Sequence, residues 1–260
     1  LNLAVRGKLV EQDPNDVPAS ELLDSLHSEA GKKKKTARTS PAKQAAEMPF
    51  ECPHGWAWAQ VRHILAPDRD ISYGVIKLGP EPTSGGVPTL RCSDVRPGFI
   101  DLSGVRKVQE SIEADYARTR LEGGEVVINI RGTLGGVALV PNDLKGHNVA
   151  REVAVIPIAA DLSGPFLVYL MLSPYFWDHI QNNLRGIAYK GLNLGILRDL
   201  PIPLPPLAEQ HRIVAKVDAL MALCDRLEAA LTTADTTRAR LLEALLHEAL
   251  EPGTSDMEAA

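Results

Sequence analysis

The chain has 260 residues, 45% of them hydrophobic and only 5% aromatic, enough apolar material for a substantial core in one or two soluble, globular domains. A formal net charge of −5 argues against indiscriminate polyanion binding, which needs a broad excess of Lys and Arg to release counterions, and leaves local basic surfaces open. Cys52, Cys92 and Cys224 are scattered, with no CxxC pair and no His at metal-ligand spacing, so no metal site is expected and the compartment reads as reducing and cytoplasmic. No apolar run reaches the ~20 residues that cross a bilayer, and no membrane partner is expected.

In chain order, "LNLAVRGKL" places Leu1, Ala4, Val5 and Leu9 at helical spacing and reads as the last turns of a helix; Pro14 and Pro18 then break the pattern. Ser20 is expected to cap a short helix, "ELLDSLHSEA", with Leu22, Leu23 and Leu26 as its stripe. "GKKKKTARTSPAKQ" has no apolar anchor and fits a solvated linker better than a DNA-tracking arm. From Pro49 to Leu200 short β-like runs alternate with Gly and Pro: "ISYGVIKLG", "GEVVINIRG", "GGVALVP" and "REVAVIPI", the pattern of a compact β-rich mixed domain. "PFLVYLMLSPYFWDHIQNNL" reads as a helix that Pro174 divides or kinks.

"DLPIPLPPLAEQHRIV" sets Pro201, Pro203, Pro205 and Pro206 just before the longest helical pattern, and reads as a stiff, extended strut. Ile213, Val217, Leu220, Cys224, Leu227, Leu231, Ala234, Arg238, Leu241 and Leu245 then follow a 4-3 alternation for about five heptads. A ~40-residue helix spans ~60 Å and outgrows a globular domain, so its seam calls for a partner helix; packing of its first half on the body remains the alternative. The residues after Pro252 read as a disordered tail.

Residue patterns for catalysis are poor. Asp101, Glu125 and "INIRG" caricature a nuclease core but lack a Lys two residues beyond the second acid, and there is no phosphate loop and no evident Ser-His-Asp order. Three glycine-punctuated stretches carry donors instead. "INIRGTLGG" offers Arg131 and Thr133 where glycines let backbone amides approach a phosphate, and an ordinary hairpin fits it equally. "LRGIAYKGLN" presents Arg185, Tyr189, Lys190 and Asn193, able to meet phosphate, sugar and base edge, and "SYGVIKLG" adds Ser72, Tyr73 and Lys77. "RKVQESIEADYARTRL" reads equally as a solvated or a DNA-facing helix.

Together, "AVRGKLVEQDPNDVPASELL", "SYGVIKLG", "INIRGTLGGVALV" and "YLMLSPYFWDHIQNNLRGIAYKGLNLGILRDLPIPLPPLAEQHRIVAKVDAL" resemble the specificity subunit of type I restriction–modification enzymes. The proline run leading into Ala-Glu-Gln-His-Arg-Ile-Val is the most specific part. The resemblance implies an α+β fold: the end of a conserved helical region (1–30), a lysine-rich linker (31–48), a mixed, β-rich DNA target-recognition domain (49–205), a long coiled-coil-forming helix (206–250) and the tail (251–260). It implies a non-catalytic subunit that binds no cofactor itself and reads one half of a bipartite site in double-stranded DNA. The DNA contacts would fall on the three donor stretches, and the seam from Ile213 to Leu245 would serve as helix interface.

The same resemblance implies methyltransferase subunits that use S-adenosylmethionine, and restriction subunits that use ATP and Mg. That family's subunit usually carries two recognition domains and two antiparallel helices. This chain shows one of each, like a C-terminal half or a half-subunit, and two copies pairing antiparallel would rebuild the pseudo-complete form. The competing expectations are a protein-interaction adaptor, or a relative that only binds methyltransferase subunits.

Overall fold

The computed structural model describes residues 1–31, 50–184 and 191–250. They are an α+β assembly of small sheets, short helices and one long helix, in two compact units, Leu1–Val214 and one beginning at Ala215.

The first unit is organised around a four-stranded antiparallel sheet in the order β2-β10-β7-β8, formed by Ser72–Tyr73, Val153–Ile156, Val126–Asn129 and Val137–Leu139. All four residues of β7 and all four of β10 are buried, so both faces are covered; β10 is an unbroken Val/Ile/Ala run and β7 a Val/Ile run ending in Asn129. One face meets a cluster that includes Leu90, Leu121, Val127, Ala138, Val149 and Val155. Leu90 and Val149 come from a second sheet, β6-β3-β9, of Arg106–Val108, Val87–Leu90 and Asn148–Val149. Over β8 lies α3 (Gly164–Met171), where a Cβ on Gly164 would stand 2.5 Å from Leu139.

The divided helix is as expected: Ser173 closes α3, donating its hydroxyl to the Leu170 carbonyl (2.6 Å), and Pro174 opens α4 (Pro174–Leu184). The start of the chain differs. "LNLAVRGKL" forms only a 3₁₀ turn, Ala4–Arg6, ended by Gly7 at φ 64°. α1 (Ala19–Gly31) begins one residue before Ser20, which therefore lies within its first turn and does not cap it. "RKVQESIEADYARTRL" is no single helix: β6 passes through the short α2 (Glu110–Glu113) into a 3₁₀ stretch, Ala114–Thr119. The lysine run and the tail after Leu250 lie outside the described residues.

The prolines make a strand. β11 (Pro201–Leu204) pairs antiparallel with β1 (Ala57–Gln60), with Trp58 opposite Pro203 and Gln60 opposite Pro201. The Val61 amide donates to the Leu200 carbonyl (3.2 Å), and bonded pairs recur every second residue, so Ala59–Ile202 and Ala57–Leu204 share that bonding parity. Pro201 and Pro203 occupy the non-bonded positions, where a missing NH costs nothing.

α6 (Leu207–Leu250) follows at once. The Pro206 carbonyl accepts from the Gln210 amide (2.9 Å), and the first turn is locked by side chains. The Trp56 indole donates to the buried Glu209 carboxylate (2.9 Å), Gln210 accepts from the Ser163 amide (3.0 Å) and donates to the Pro205 carbonyl (3.0 Å), and Arg212 pairs with Asp16 (2.5 Å). First turn included, α6 is one helix of 44 residues, a rise of about 66 Å.

Burial sets a pH dependence. His63 is pushed down to about 4, mainly by desolvation with His27 and Arg62 adding repulsion, and burial also lowers His147 and His179. A histidine depressed in the fold contributes stability that is present above its unfolded value of 6.5 and lost as pH falls toward the folded value. Glu209, raised by burial above 4.5, works in the opposite sense. The melting temperature is expected to fall between pH 7 and pH 5, and His63→Asn to shrink that fall; an unchanged slope in thermal melts would contradict it.

Candidate nucleic-acid interface

The antiparallel order of the main sheet gathers specific chain segments at one end. β7 runs toward Arg131, β2 runs toward Gly74 and Val75, and β8 and β10 begin there, after Gly136 and Glu152. The Ile130 and Arg131 amides both donate to the Glu152 carbonyl (2.8 and 3.3 Å), and the Leu192 amide donates to the Ile130 carbonyl (2.8 Å). Val75 donates to Val149 (2.8 Å) and Arg151 returns a bond to Val75 (2.9 Å). Four segments, 74–77, 130–136, 150–152 and 191–193, therefore meet at this end.

The donors expected from sequence fall on these segments unequally. Ser72 and Tyr73 are half-buried on β2 itself; Lys77, past the turn, is exposed. Arg131 is half-buried and Thr133 exposed. Asn193 is exposed, but its side chain accepts from the Gly195 amide (2.7 Å) and so caps α5 (Leu194–Asp199). Arg185, Tyr189 and Lys190 lie outside the described residues, immediately before Gly191. Arg151, missed in the sequence, is exposed in the same group; it stands just before an apolar strand antiparallel to β7, a placement only the pairing reveals.

What holds these loops is a buried amide. Asn129, 1% exposed at the end of β7, points its Nδ2 at the carbonyls of Cys92 (2.9 Å), Thr133 (3.0 Å) and Val95 (3.2 Å), tying three loop positions to one strand. Its backbone amide donates to the Gly136 carbonyl (2.8 Å), and a Cβ on Gly136 would stand 2.2 Å from the Val95 carbonyl, so only glycine admits this approach. Gly74 is held likewise: its Cβ would lie 1.7 Å from the Val149 carbonyl. A lone amide inside "VVINI" was the available sign of Asn129, since a polar side chain in a buried strand must find partners.

The opposite end is chemically closed. Glu125 accepts from the Glu122 and Gly123 amides (2.8 and 2.9 Å) and from Arg69 (2.8 Å). Glu113, fully buried, is bound by Arg120 and by Asn148 (2.7 Å); Arg120 above all holds its carboxyl below the usual range. Asp101 stands instead beside the loop end, its amide bonded to the Asp94 carbonyl (2.8 Å), and accepts from the Ser103 amide and hydroxyl (3.0 and 2.6 Å) in a local turn. Glu125 and Asp101 thus serve turns, each with its own partners. Among the described residues no group of three or more His, Cys, Asp or Glu is placed to hold a metal, and no helix is long and apolar enough to cross a membrane.

Residues 80–234 match the family model for the type I restriction modification DNA specificity domain. The chain belongs to this family. Among curated relatives, the EcoAI specificity subunit of the type I restriction enzyme of Escherichia coli is 30% identical over 267 residues, 95% of this chain and 42% of that protein. The EcoBI specificity subunit, also from Escherichia coli, is 29% identical over 198 residues, 76% of this chain and 41% of that protein. The chain thus spans about two fifths of the length of these relatives. The HsdS subunit from Thermoanaerobacter tengcongensis has the same fold, with a TM-score of 0.63 at 24% identity over 82% of this chain and 54% of that one.

On the helix that this specificity-domain match enters, the expected interface residues divide. Ile213 and Val217 are buried, whereas Leu220, Leu227, Leu231, Leu241 and Leu245 are exposed, joined by Met221, Leu223, Leu242 and Leu246. Ile213 is within the first unit, so the alternative of body packing holds for the start of the helix.

Asn129→Leu removes the donor from three loop carbonyls and is expected to cost about 1–3 kcal/mol in urea unfolding. Amide exchange should rise at Gly98, near the tied loops, more than at Gly124, at the far end of β7. An equal rise at both would contradict a local tie.

Proposed function

We propose that this chain is a sequence-reading, non-catalytic part of a type I restriction–modification specificity subunit, whose recognition domain, residues 49–205, reads one half of a bipartite target in double-stranded DNA. The observation that carries it is the convergence of loop segments 74–77, 130–136, 150–152 and 191–193 at one end of a sheet in a chain of this family. Lys77, Arg151 and Thr133 are exposed on those segments and Arg131 is half-buried among them, and the Asn129 amide and backbone bonds fix the loops. Phosphate contacts from the basic residues would set register, and Thr133 with Tyr189, Lys190 and Asn193 would supply base and sugar contacts.

The helix, residues 206–250, is the proposed spacer and partner surface. Its exposed leucines fit an antiparallel helix, supplied by a second recognition half or a second copy, and methyltransferase and restriction subunits would assemble around that pair. S-adenosylmethionine, ATP and Mg would serve those partners, and no residue of this chain is assigned to them. The formal charge of −5 is compatible with this reading, because binding depends on the field at the loop end and not on the sum over the chain.

The test is a gel-shift titration with methyltransferase subunits present, against salt and random competitor DNA. Arg131→Ala is expected to weaken binding several-fold and to lower the salt slope by about one. Exchanging residues 50–200 for those of a related domain should transfer half-site identity; an unchanged methylated sequence after the exchange would overturn the assignment.

A further inference from the structure

Beside the recognition loops stands a small hairpin, β4 (Val95–Arg96) and β5 (Phe99–Ile100), turning through Pro97 and Gly98. Its faces are chemically opposite. Val95 is buried and Ile100 packs against the core cluster; Arg96 and Phe99, cross-strand partners in the register, both turn outward, and Phe99 is 59% exposed. Leu102, just beyond, is 50% exposed. Single exposed apolar residues are ordinary on protein surfaces, so exposure alone means little.

The mounting is what sets this one apart. The Gly98 amide at the tip donates to the Val137 carbonyl (2.8 Å), the Val95 carbonyl accepts from Asn129, and Asn129 also holds Thr133. The outward Phe99 is therefore braced on the strand and amide that carry the proposed DNA-reading loop. The nearby acids are already engaged: Asp94 is buried and paired with Arg91 (3.2 Å), and Asp101 is held by Ser103 and faces Arg96. The exposed cation Arg96 thus accompanies the exposed ring on a hairpin tied through Asn129 to the Thr133 loop.

We propose that Phe99 is a DNA-contacting wedge: its ring stacks against, or enters, a base step at the border of the half-site, while Arg96 reaches the adjoining phosphate. An aromatic ring inserted into a duplex unstacks one step and bends the helix axis, at a cost repaid by closer contact of the remaining loops. The wedge supplies a deformability preference at a position read by no hydrogen bond. It rests on the DNA-binding reading above and goes further in naming the residue and the mode.

The test uses the full chain with its methyltransferase subunits and a pool of randomised duplexes. Sequences selected by the unaltered protein are probed with permanganate and diethyl pyrocarbonate, which attack unstacked thymines and purines. One hyper-reactive step at a constant position is expected, lost in Phe99→Ala together with roughly 5- to 150-fold of affinity, and kept in Phe99→Trp. Phe99→Leu, which keeps an apolar wedge, controls for folding, and melting curves of all variants should coincide because the ring is exposed.

If the unaltered protein selects a sequence but shows no reactive step, or if Phe99→Ala binds and reacts as before, the wedge is overturned and DNA reading stands. If Phe99→Ala instead loses its methyltransferase subunits, the ring serves a protein contact and the wedge is again overturned. Failure of the unaltered protein to select any sequence would overturn the DNA reading itself.

Discussion

A strand covered on both faces has to satisfy its polar ends without water, and the first unit is built around that constraint at β7. Backbone groups there cannot be left unpaired without a cost of a kcal/mol or more each, so a side chain must close each end. Glu125 closes one by gathering two turn amides and Arg69. Asn129 closes the other by offering its amide to three carbonyls, with only two hydrogens for them and its own Oδ1 left without a partner. The accepted imperfection at Asn129 indicates that what it holds, the loops around Cys92, Val95 and Thr133, matters more to the structure than one satisfied oxygen.

The two ends consequently diverge in chemistry. At the Glu125 end, arginines and acids neutralise one another inside the structure: Arg69 with Glu125, Arg120 with Glu113. At the Asn129 end the tie to the Cys92, Val95 and Thr133 carbonyls is made by a neutral amide, beside the Arg91–Asp94 pair. A carboxylate in place of Asn129 would face three carbonyl oxygens and carry a negative field toward the very surface where phosphates are expected.

Legibility from sequence followed periodicity. β7, β8 and β10 lie in apolar runs interrupted only by Asn129, and the long helix repeats its pattern for many turns, so both could be read directly. β1, β3, β4, β5, β6, β9 and β11 were not legible, because none lies in an apolar run that sets it apart from a loop and each owes its existence to distant partners. The prolines show the difference well: φ restriction gave the extended backbone, but whether it stands alone or pairs depends on "AWAQ", more than a hundred residues earlier. Likewise Glu209 reads locally as a first-turn acid, whereas its burial against Trp56 is a tertiary fact. Of the candidate site, Arg131, Thr133 and Lys77 stood out in the sequence as donors beside glycines; Arg151, Asn129 and Phe99 did not, since the placement of each depends on pairing between distant segments.

The interface also separates residues that hold from residues that could read. Gly74, Asn129 and Gly136 are constrained by backbone approaches of 1.7 to 2.2 Å to any added Cβ or by buried bonds, and a change at them would move several loops together. Thr133, Lys77, Arg96 and Phe99 are exposed and bear little of the packing. Specificity can therefore change at the second set while the first keeps the backbone in place, because base readout depends on which side chain projects from a loop, and affinity depends on where that loop stands relative to the phosphates. On the proposed reading, pins that are neutral, buried and few would let the same frame present different half-sites, the physical requirement for a domain that reads sequence.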